Sequence, residues 1–360
     1  VHPFSVQSSA LLSSKIKMAK VIDSSDESLK IAGNEIKGGK LVAFPTETVY
    51  GLGANVFHER ALAQIFKVKN RPMNDPLIAH VINSTSAMDL LDFGHSPEVE
   101  KLFLLLTGEF WPGPLTVVSR ASSSVSDLVT ASTGFIGVRS PSHYIARKLL
   151  IEAGVPICAP SANRFGHVSP TSAAHVMTDL GSSDITIIEP ENEKTCEIGI
   201  ESTVVKLDSA SRTVVILRKG AITAQKIEKA LGSEFAQWKV IVKKNEEDIE
   251  RLSPQIAPGQ LLKHYSPDIE AFLVSFDQNG AKDFPTELTT CLVLDFAGQC
   301  SELKERCRFY RDLSVKGNEE EAAHSIFESL RWAESQIGIE KILIASIPNA
   351  KDGSMAAAYN

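Results

Sequence analysis

The stretch Leu41-Val42-Ala43-Phe44-Pro45-Thr46-Glu47-Thr48-Val49-Tyr50-Gly51-Leu52-Gly53 passes from an unbroken apolar run into a proline, two threonine hydroxyls, a carboxylate and two glycines. Four apolar residues closed by Pro45 read as a buried strand. Polar groups at the exit of such a strand sit where open αβ sheets hold their ligands. Gly51 and Gly53 permit close approach of the backbone to a ligand. The same residues read equally well as an ordinary turn leading into a capped helix, so on its own the stretch leaves its chemistry open.

Short apolar runs and amphipathic helical patterns alternate outward from it. Glu59 to Phe66 has helical spacing through Leu62, Ile65 and Phe66, with an acid at its start, and Pro97 to Phe110 is a leucine-rich helix. Tyr144 to Ala153 is helical and ends at Gly154. Leu77 to Ile82, Leu115 to Val118, Phe135 to Val138, Val155 to Cys158, Ile185 to Ile188, Thr203 to Leu207 and Val214 to Leu217 read as strands. Ser169-Pro170-Thr171 predicts a helix start, a capping residue followed by proline at the first helical position. This order predicts an α/β fold of mixed (α+β) character, with a mixed sheet instead of an all-parallel one. A helix from Thr223 to about Leu231 is followed by a charged and then proline-punctuated segment, Val240 to about Pro267, that reads as a linker. Beyond it, strands at Ala271 to Val274, Cys291 to Leu294 and Lys341 to Ser346 flank a helix from Glu319 to Gln336, which predicts a small parallel αβ domain. The expected divisions are an extension over 1–21, a catalytic domain over 22–237, a linker over 238–268 and a small domain over 269–360.

The 360 residues suit two domains, and 43% apolar with 22% charged residues excludes wholesale disorder. Lys plus Arg number 37 against 44 Asp plus Glu, a formal charge of −7 that argues against a nucleic-acid coat but leaves room for a local basic cleft. No apolar run reaches the roughly 18 residues of a membrane span. Cysteines stand at 158, 196, 291, 300 and 307, an odd number without a CxxC, which disfavours a disulfide framework or a thiolate zinc site and suits a reducing, cytoplasmic setting. Val1 to Lys20 contain no acid, five serines and Lys15, Lys17 and Lys20. A disordered or cloning-derived extension ahead of Met18 is the favoured reading, and a mitochondrial or other organelle transit segment is the alternative.

P-loop, dinucleotide, HExxH and GxSxG signatures are missing, and the histidines are scattered. What stands out is a set of polar loops at strand exits. Lys67-Val68-Lys69-Asn70-Arg71-Pro72-Met73-Asn74-Asp75-Pro76 puts three cations on a proline-stiffened loop, a good match to a polyphosphate, with His80 in the strand that follows. Arg139 leaves the apolar run Ile136-Gly137-Val138 and needs a partner, either a substrate carboxylate or an internal Asp or Glu. Ser161, Asn163 and Ser169 follow another strand, with a helix N-terminus expected at Ser169. Ser202, Thr203, Arg218 and Lys219 add hydroxyls and cations farther on. A cleft so lined, without a nucleophile or metal cage, suits binding and orienting an anionic ligand, as nucleotidyl transfer requires.

Taken together, FPTETVYGLG at Phe44–Gly53, Lys-x-Arg at Lys69–Arg71, WPGPLT at Trp111–Thr116, GVR at Gly137–Arg139 and Ser-x-Asn at Ser161–Asn163 closely resemble the threonylcarbamoyl-adenylate synthase family. The resemblance covers about residues 22–235 and runs on through His264-Tyr265-Ser266-Pro267, which looks like the linker motif of the long two-domain form. It implies a YrdC-like twisted mixed sheet with helices around a concave cleft, plus a small Rossmann-like α/β domain. The implied reaction joins L-threonine, bicarbonate and ATP into threonylcarbamoyl-AMP and pyrophosphate. Mg²⁺ is expected through the ATP phosphates, with no protein metal site and no organic cofactor. The implied product serves the N6-threonylcarbamoyl modification of tRNA adenosine 37, with tRNA reached through a downstream transferase complex and no membrane partner.

By the same resemblance, Thr48, His80, Arg139 and Ser202 would hold threonine, with Arg139 on its carboxylate. Lys69, Arg71, Ser161 and Asn163 would form the catalytic set. Arg71, Asp75, Ser161, Ser169 and Arg218 would face the nucleotide, and Tyr265 would reach back from the linker as a cover. Two departures stand out. Asp75 replaces the family's usual Asn and would either repel the polyphosphate or bind its Mg²⁺. The chain also stops soon after Asp352-Gly353, where the family normally continues through a basic helix. Alternatives are an RNA-binding or regulatory module using the same cleft, and a carbamoyl-adenylate enzyme acting on another acceptor, whose extra zinc-finger-like Cys pattern is absent.

Overall fold

Side chains that accept the free N–H groups of a first turn fix where the helices begin. Ser25, Asn83, Ser126, Ser172, Thr223 and Asn318 each do so. The computed structural model describes residues 18–94, 96–191, 196–243, 255–258, 265–274, 276–277, 280–281, 284 and 287–347. The sequence expectations for Val1 to Met18's predecessor, for His264 and for Asp352-Gly353 lie outside these residues.

In chain order the first unit runs β1 (Lys20–Ile22), α1 (Asp26–Lys37), β2 (Leu41–Phe44), β3 (Gly51–Asn55), α2 (Glu59–Lys69), β4 (Ile78–His80), α3 (Ser84–Met88) and α4 (Pro97–Phe110). It continues with β5 (Leu115–Arg120), α5 (Asp127–Thr130), β6 (Phe135–Arg139), α6 (Tyr144–Ala153), β7 (Ile157–Cys158), α7 (Ala173–Leu180) and β8 (Ile185–Ile188). β9 (Thr203–Asp208), β10 (Thr213–Arg218), α8 (Ala224–Leu231) and β11 (Lys239–Val242) complete it. The strands form one mixed sheet of order β1-β8-β2-β3-β7-β4-β6-β5-β9-β10-β11. α1 and α6 cover one part of it through Leu29, Ile36, Ile145 and Leu149. They meet at Gly33, where a Cβ would lie 2.7 Å from the Glu152 backbone. A larger core around Leu62, Ile65, Leu102, Phe103, Val176 and Ile227 joins α2, α4, α7 and α8 to the sheet.

The second unit is a four-stranded, wholly parallel sheet. It comprises β12 (Glu270–Val274), a short pair β13 (Phe276–Asp277) and β14 (Gly280–Ala281) outside that sheet, β15 (Cys291–Asp295), β16 (Phe309–Asp312), α9 (Glu319–Glu334) and β17 (Lys341–Ala345), in sheet order β12-β17-β15-β16. The fold is therefore mixed α/β in two units. Among the described residues no helix is long and apolar enough to cross a membrane.

Three boundaries differ from the sequence reading. Lys20 and Val21, assigned to the extension, pair with β8. Lys239–Val242, assigned to the linker, is a sheet strand parallel to β10, with Val240 and Val242 packed on the core; the charges that follow it hide a two-residue alternation. The helix expected from Ser169 starts at Ala173 with Ser172 as its cap. The Pro170 carbonyl is committed to the Tyr50 N–H (2.8 Å), which holds residues 169–171 out of the helix.

α7 and α9 meet across a buried ion network. His167 Nδ1 lies 2.9 Å from Asp179, its Nε2 lies 3.1 Å from Glu334, and Arg331 reaches Asp179 at 2.9 Å. Burial alone would lower the proton affinity of His167, but Asp179 and Glu334 outweigh it and push the group up to about 9. Arg331, Arg164, His175 and Asp268 are the other charged or titratable groups of the cluster. A folded value above the ordinary 6.5 means the stabilisation is complete below about pH 6.5 and is lost as pH rises through about 9. Thermal unfolding is thus expected to show wild type losing on the order of 2 kcal/mol between pH 7 and 10 that His167→Gln does not lose. Parallel pH profiles for the two proteins would contradict the assignment.

Candidate active site

Three cations, Arg71, Arg139 and Arg218, converge from different segments on one pocket, with Lys69 behind its wall, and each is held by fixed acceptors. The pocket is lined by Thr46, Thr48, Arg71, His80, Arg139, Ser161, Glu201, Ser202, Arg218 and Tyr265, together with apolar residues and Pro258. Thr48, Arg71, His80, Arg139, Ser161, Ser202, Arg218 and Tyr265 were all picked from the sequence. Lys69, Asp75, Asn163 and Ser169 stand behind the wall instead of in it.

Asn70, in the left-handed conformation at the end of α2 (φ 52°), explains the split between Lys69 and Arg71. Asn tolerates that conformation, and the turn sends Lys69 inward and Arg71 toward the pocket. Lys69 Nζ donates to the carbonyls of Ser161 (2.6 Å) and Asn163 (2.5 Å). Burial, and then the charge of Arg71, lower its pKa to about 7. Lys69 therefore shapes the Ser161 loop from behind.

Arg71 donates to the carbonyls of Asp75 and Pro76 and pairs with the Asp75 carboxylate at 2.9 Å. Asp75 is wholly buried. It is not among the residues that line the pocket, and its carboxylate holds Arg71, which is. Asn163 Nδ2 bonds the carbonyls of Arg164 and His167, which curls its loop. Ser169 donates to Glu201 at 2.8 Å and marks no helix N-terminus.

The opposite wall is built on β4 and β6, whose register sets His80 beside Arg139. Of the two partners the sequence allows for Arg139, the structure supplies the internal one, Glu47, at 2.6 Å, with Thr48 Oγ1 accepting a second bond at 2.9 Å. Burial would raise the Glu47 pKa, but Arg139 outweighs it and holds the carboxyl below its usual range. Burial, and then Arg139, push His80 down to about 3, so the ring is neutral at physiological pH. His80 Nδ1 and Arg139 Nε are buried without a protein partner among the described residues. Buried donors and acceptors are rarely left unmatched, so these two atoms point to a polar ligand.

On the third side, Arg218 Nε and Nη2 donate to the Ser202 carbonyl and hydroxyl (both 3.0 Å) and Nη1 to the Tyr265 hydroxyl (3.3 Å). Ser202 Oγ also lies 2.8 Å from Thr116 Oγ1. Glu47, a carboxylate without a role in the sequence reading, and Glu201, not singled out there, both belong to this site. The signal was present, because a carboxylate next to a buried strand exit that also bears an Arg marks an internal pair. Among the described residues Glu201 is the one carboxylate lining the pocket.

A family model described as Telomere recombination (Sua5, YciO and YrdC proteins) matches residues 34–220, and one described as Threonylcarbamoyl-AMP synthase, C-terminal domain matches residues 222–360. The threonylcarbamoyl-AMP synthase of Pyrococcus abyssi is 39% identical over 246 residues, 68% of this chain and 67% of its own length. That of Bacillus subtilis is 37% identical over 247 residues, 68% of this chain and 66% of its own length. The chain thus aligns over about two thirds of these curated relatives. The crystal structure of P. abyssi Sua5 complexed with L-threonine superposes with a TM-score of 0.77 at 31% identity, covering 95% of both chains. With both domain models matched in order and this likeness spanning both units, the chain belongs to the threonylcarbamoyl-AMP synthase family.

Proposed function

We propose that the protein is an L-threonylcarbamoyladenylate synthase, making threonylcarbamoyl-AMP and pyrophosphate from L-threonine, bicarbonate and ATP. The observation that carries this reading is the Arg139 corner of the pocket. Glu47 and Thr48 fix the guanidinium plane, Arg139 Nε is left as an aimed donor, and neutral His80 presents an unmatched Nδ1 beside it. That is a mould for a small zwitterion, whose carboxylate takes the Arg139 donor. The threonine complex of the P. abyssi relative supports the choice of amino acid. Thr48 and Ser202 complete this half.

Arg71, Arg218 and Ser161 form the half that suits a triphosphate. Bicarbonate condenses with the threonine amine to a carbamate with loss of water. A carbamate oxygen then attacks the α-phosphorus, and the bond to the β-phosphate oxygen breaks to release pyrophosphate. The chain's own residues position reactants and spread charge, and no protein nucleophile is required. Mg²⁺ arriving with ATP neutralises phosphate charge. Tyr265 and Pro258, both on the pocket rim, shield the carbamate from water. The product's destination is the N6-threonylcarbamoyl modification of tRNA adenosine 37, through a separate transferase that receives the adenylate.

Pyrophosphate release is expected to require threonine, bicarbonate, ATP and Mg²⁺ together; release indifferent to threonine would overturn the function. Arg139→Lys keeps a charge against Glu47 but loses the fork, and should raise KM for threonine about tenfold or more with KM for ATP within about twofold. Equal rises would remove Arg139 from the carboxylate. Asp75→Ala frees Arg71 and should raise KM for ATP about tenfold, while Asp75→Asn, which preserves a hydrogen-bonding partner, should stay within about threefold. Steady-state kinetics with each substrate varied in turn separates these cases.

A further inference from the structure

α9 has two faces. Ala322, Ala323, Ile326, Leu330 and Ala333 pack into the second unit. His324, Phe327, Arg331 and Glu334, spaced by three and four residues, share another face. Each of these touches the catalytic unit or the linker that follows it. His324 Nδ1 lies 3.1 Å from the Cys196 carbonyl, and its backbone abuts Gly199, where an added Cβ would come within 2.3 Å of the His324 carbonyl oxygen. The Phe327 and Tyr265 rings are 5.7 Å apart. Arg331 donates to the Val168 carbonyl and to Asp179. Glu334 accepts from the Asp268 N–H (2.5 Å) and faces His167.

These segments run directly into the pocket. Gly199 precedes Glu201 and Ser202, and Ile200 is buried in the core of the second unit. Tyr265 lines the pocket and holds Arg218, yet has φ of +57°, a strained conformation for an aromatic residue that persists only where its surroundings enforce it. The His167 carbonyl takes the Asn163 amide, whose loop is pinned by Lys69 next to Ser161. His80 and Arg139, in contrast, are fixed by sheet pairing inside the catalytic unit. His167, Asp268 and Glu334 could also be read as a cation site. Arg164 on Asp268 at 2.8 Å and Arg331 on Asp179 already supply the positive charge, so the cluster is an ion-pair network.

We propose that the second unit is a positioning element for the nucleotide half of the pocket, acting through the His324–Phe327–Arg331–Glu334 face of α9. The inference rests on the pocket's assignment to ATP and threonine made above. It gives the second unit a part in adenylate formation, beyond any handling of the product. Ser161, Glu201 and Arg218 keep their directions through the segments that α9 holds, Arg218 by way of Tyr265, whereas Ser202 is also tied to Thr116 on the central sheet. A shift of about 1 Å in such groups is enough to cost up to about a hundredfold in rate.

The test uses the full-length protein with Phe327→Ala, Arg331→Met and Glu334→Gln, plus Arg331→Lys as the conservative variant. ATP and threonine affinities are measured separately by calorimetry, and kinetics and thermal unfolding are followed in parallel. Variants that retain a cooperative unfolding transition are expected to bind ATP about tenfold more weakly with threonine affinity within about twofold, and Arg331→Lys should recover part of the loss. Phe327→Ala leaves the ion network intact and serves if the charge variants fail to fold. Unchanged ATP affinity in folded variants, or equal losses for both ligands, would overturn the proposal while wild-type turnover upheld the function. A wild type that makes no adenylate, with the ATP-specific loss still seen in the variants, would sink the function and leave the role of α9 standing.

Discussion

A cation taken out of water costs several kcal/mol unless fixed acceptors replace its hydration, and this constraint shapes the pocket more than any other. Lys69, Arg71 and Arg139 are almost wholly buried. Each is met differently, Lys69 by two loop carbonyls, Arg71 by a carboxylate and two carbonyls, Arg139 by a carboxylate and a hydroxyl. The solutions tie separate segments together, because every acceptor belongs to a loop that also presents a group to the pocket. Anion binding and loop geometry are consequently one property here. A ligand's phosphates or carboxylate meet groups whose desolvation was already accounted for during folding, which is the physical content of preorganisation.

The division of labour follows from which element carries each acceptor. The Arg139 corner is closed by the β4–β6 register and the Phe44–Thr48 exit, both rigid parts of the central sheet. The Arg218 side depends on loops at 196–202 and 265–268 with few sheet partners of their own. Loops without ladder hydrogen bonds need packing from elsewhere, and α9 supplies it. The sole pocket contributions from residues after 250 among the described ones, Pro258 and Tyr265, lie on this same side.

Much of the architecture could be read from the chain. Leu41–Phe44, Pro97–Phe110 and Tyr144–Ala153 have apolar runs or caps strong enough to set their limits, and the structure matches them. The parallel character of the small domain followed from its βαβ alternation. The polar pocket lining was legible because Thr48, His80, Arg139, Ser161, Ser202 and Arg218 sit at or near strand ends and Arg71 sits on the proline-stiffened loop between α2 and β4. What remained hidden is of one kind, the direction of side chains whose partners are remote in sequence. Glu47 meets Arg139 across 92 positions, and no local pattern announces it. Lys69 and Arg71 look interchangeable until Asn70 turns the chain between them. Ser169 looks like a helix cap until Tyr50, far upstream, claims the Pro170 carbonyl. The β11 strand was masked by neighbouring charge.

The strand order carries a consequence for how the chain is made. β8 lies between β1 and β2, so these two strands do not pair with each other and must wait for Ile185–Ile188. Until then β2 has an unpaired backbone edge on the side that β8 takes. Closing such a long loop is entropically costly and slow, and open strand edges attract other chains meanwhile. Maturation of the pocket comes later still, when residues near 265 arrive to seat Tyr265 against Arg218. A nascent chain therefore passes through a long interval in which its pocket still lacks Tyr265.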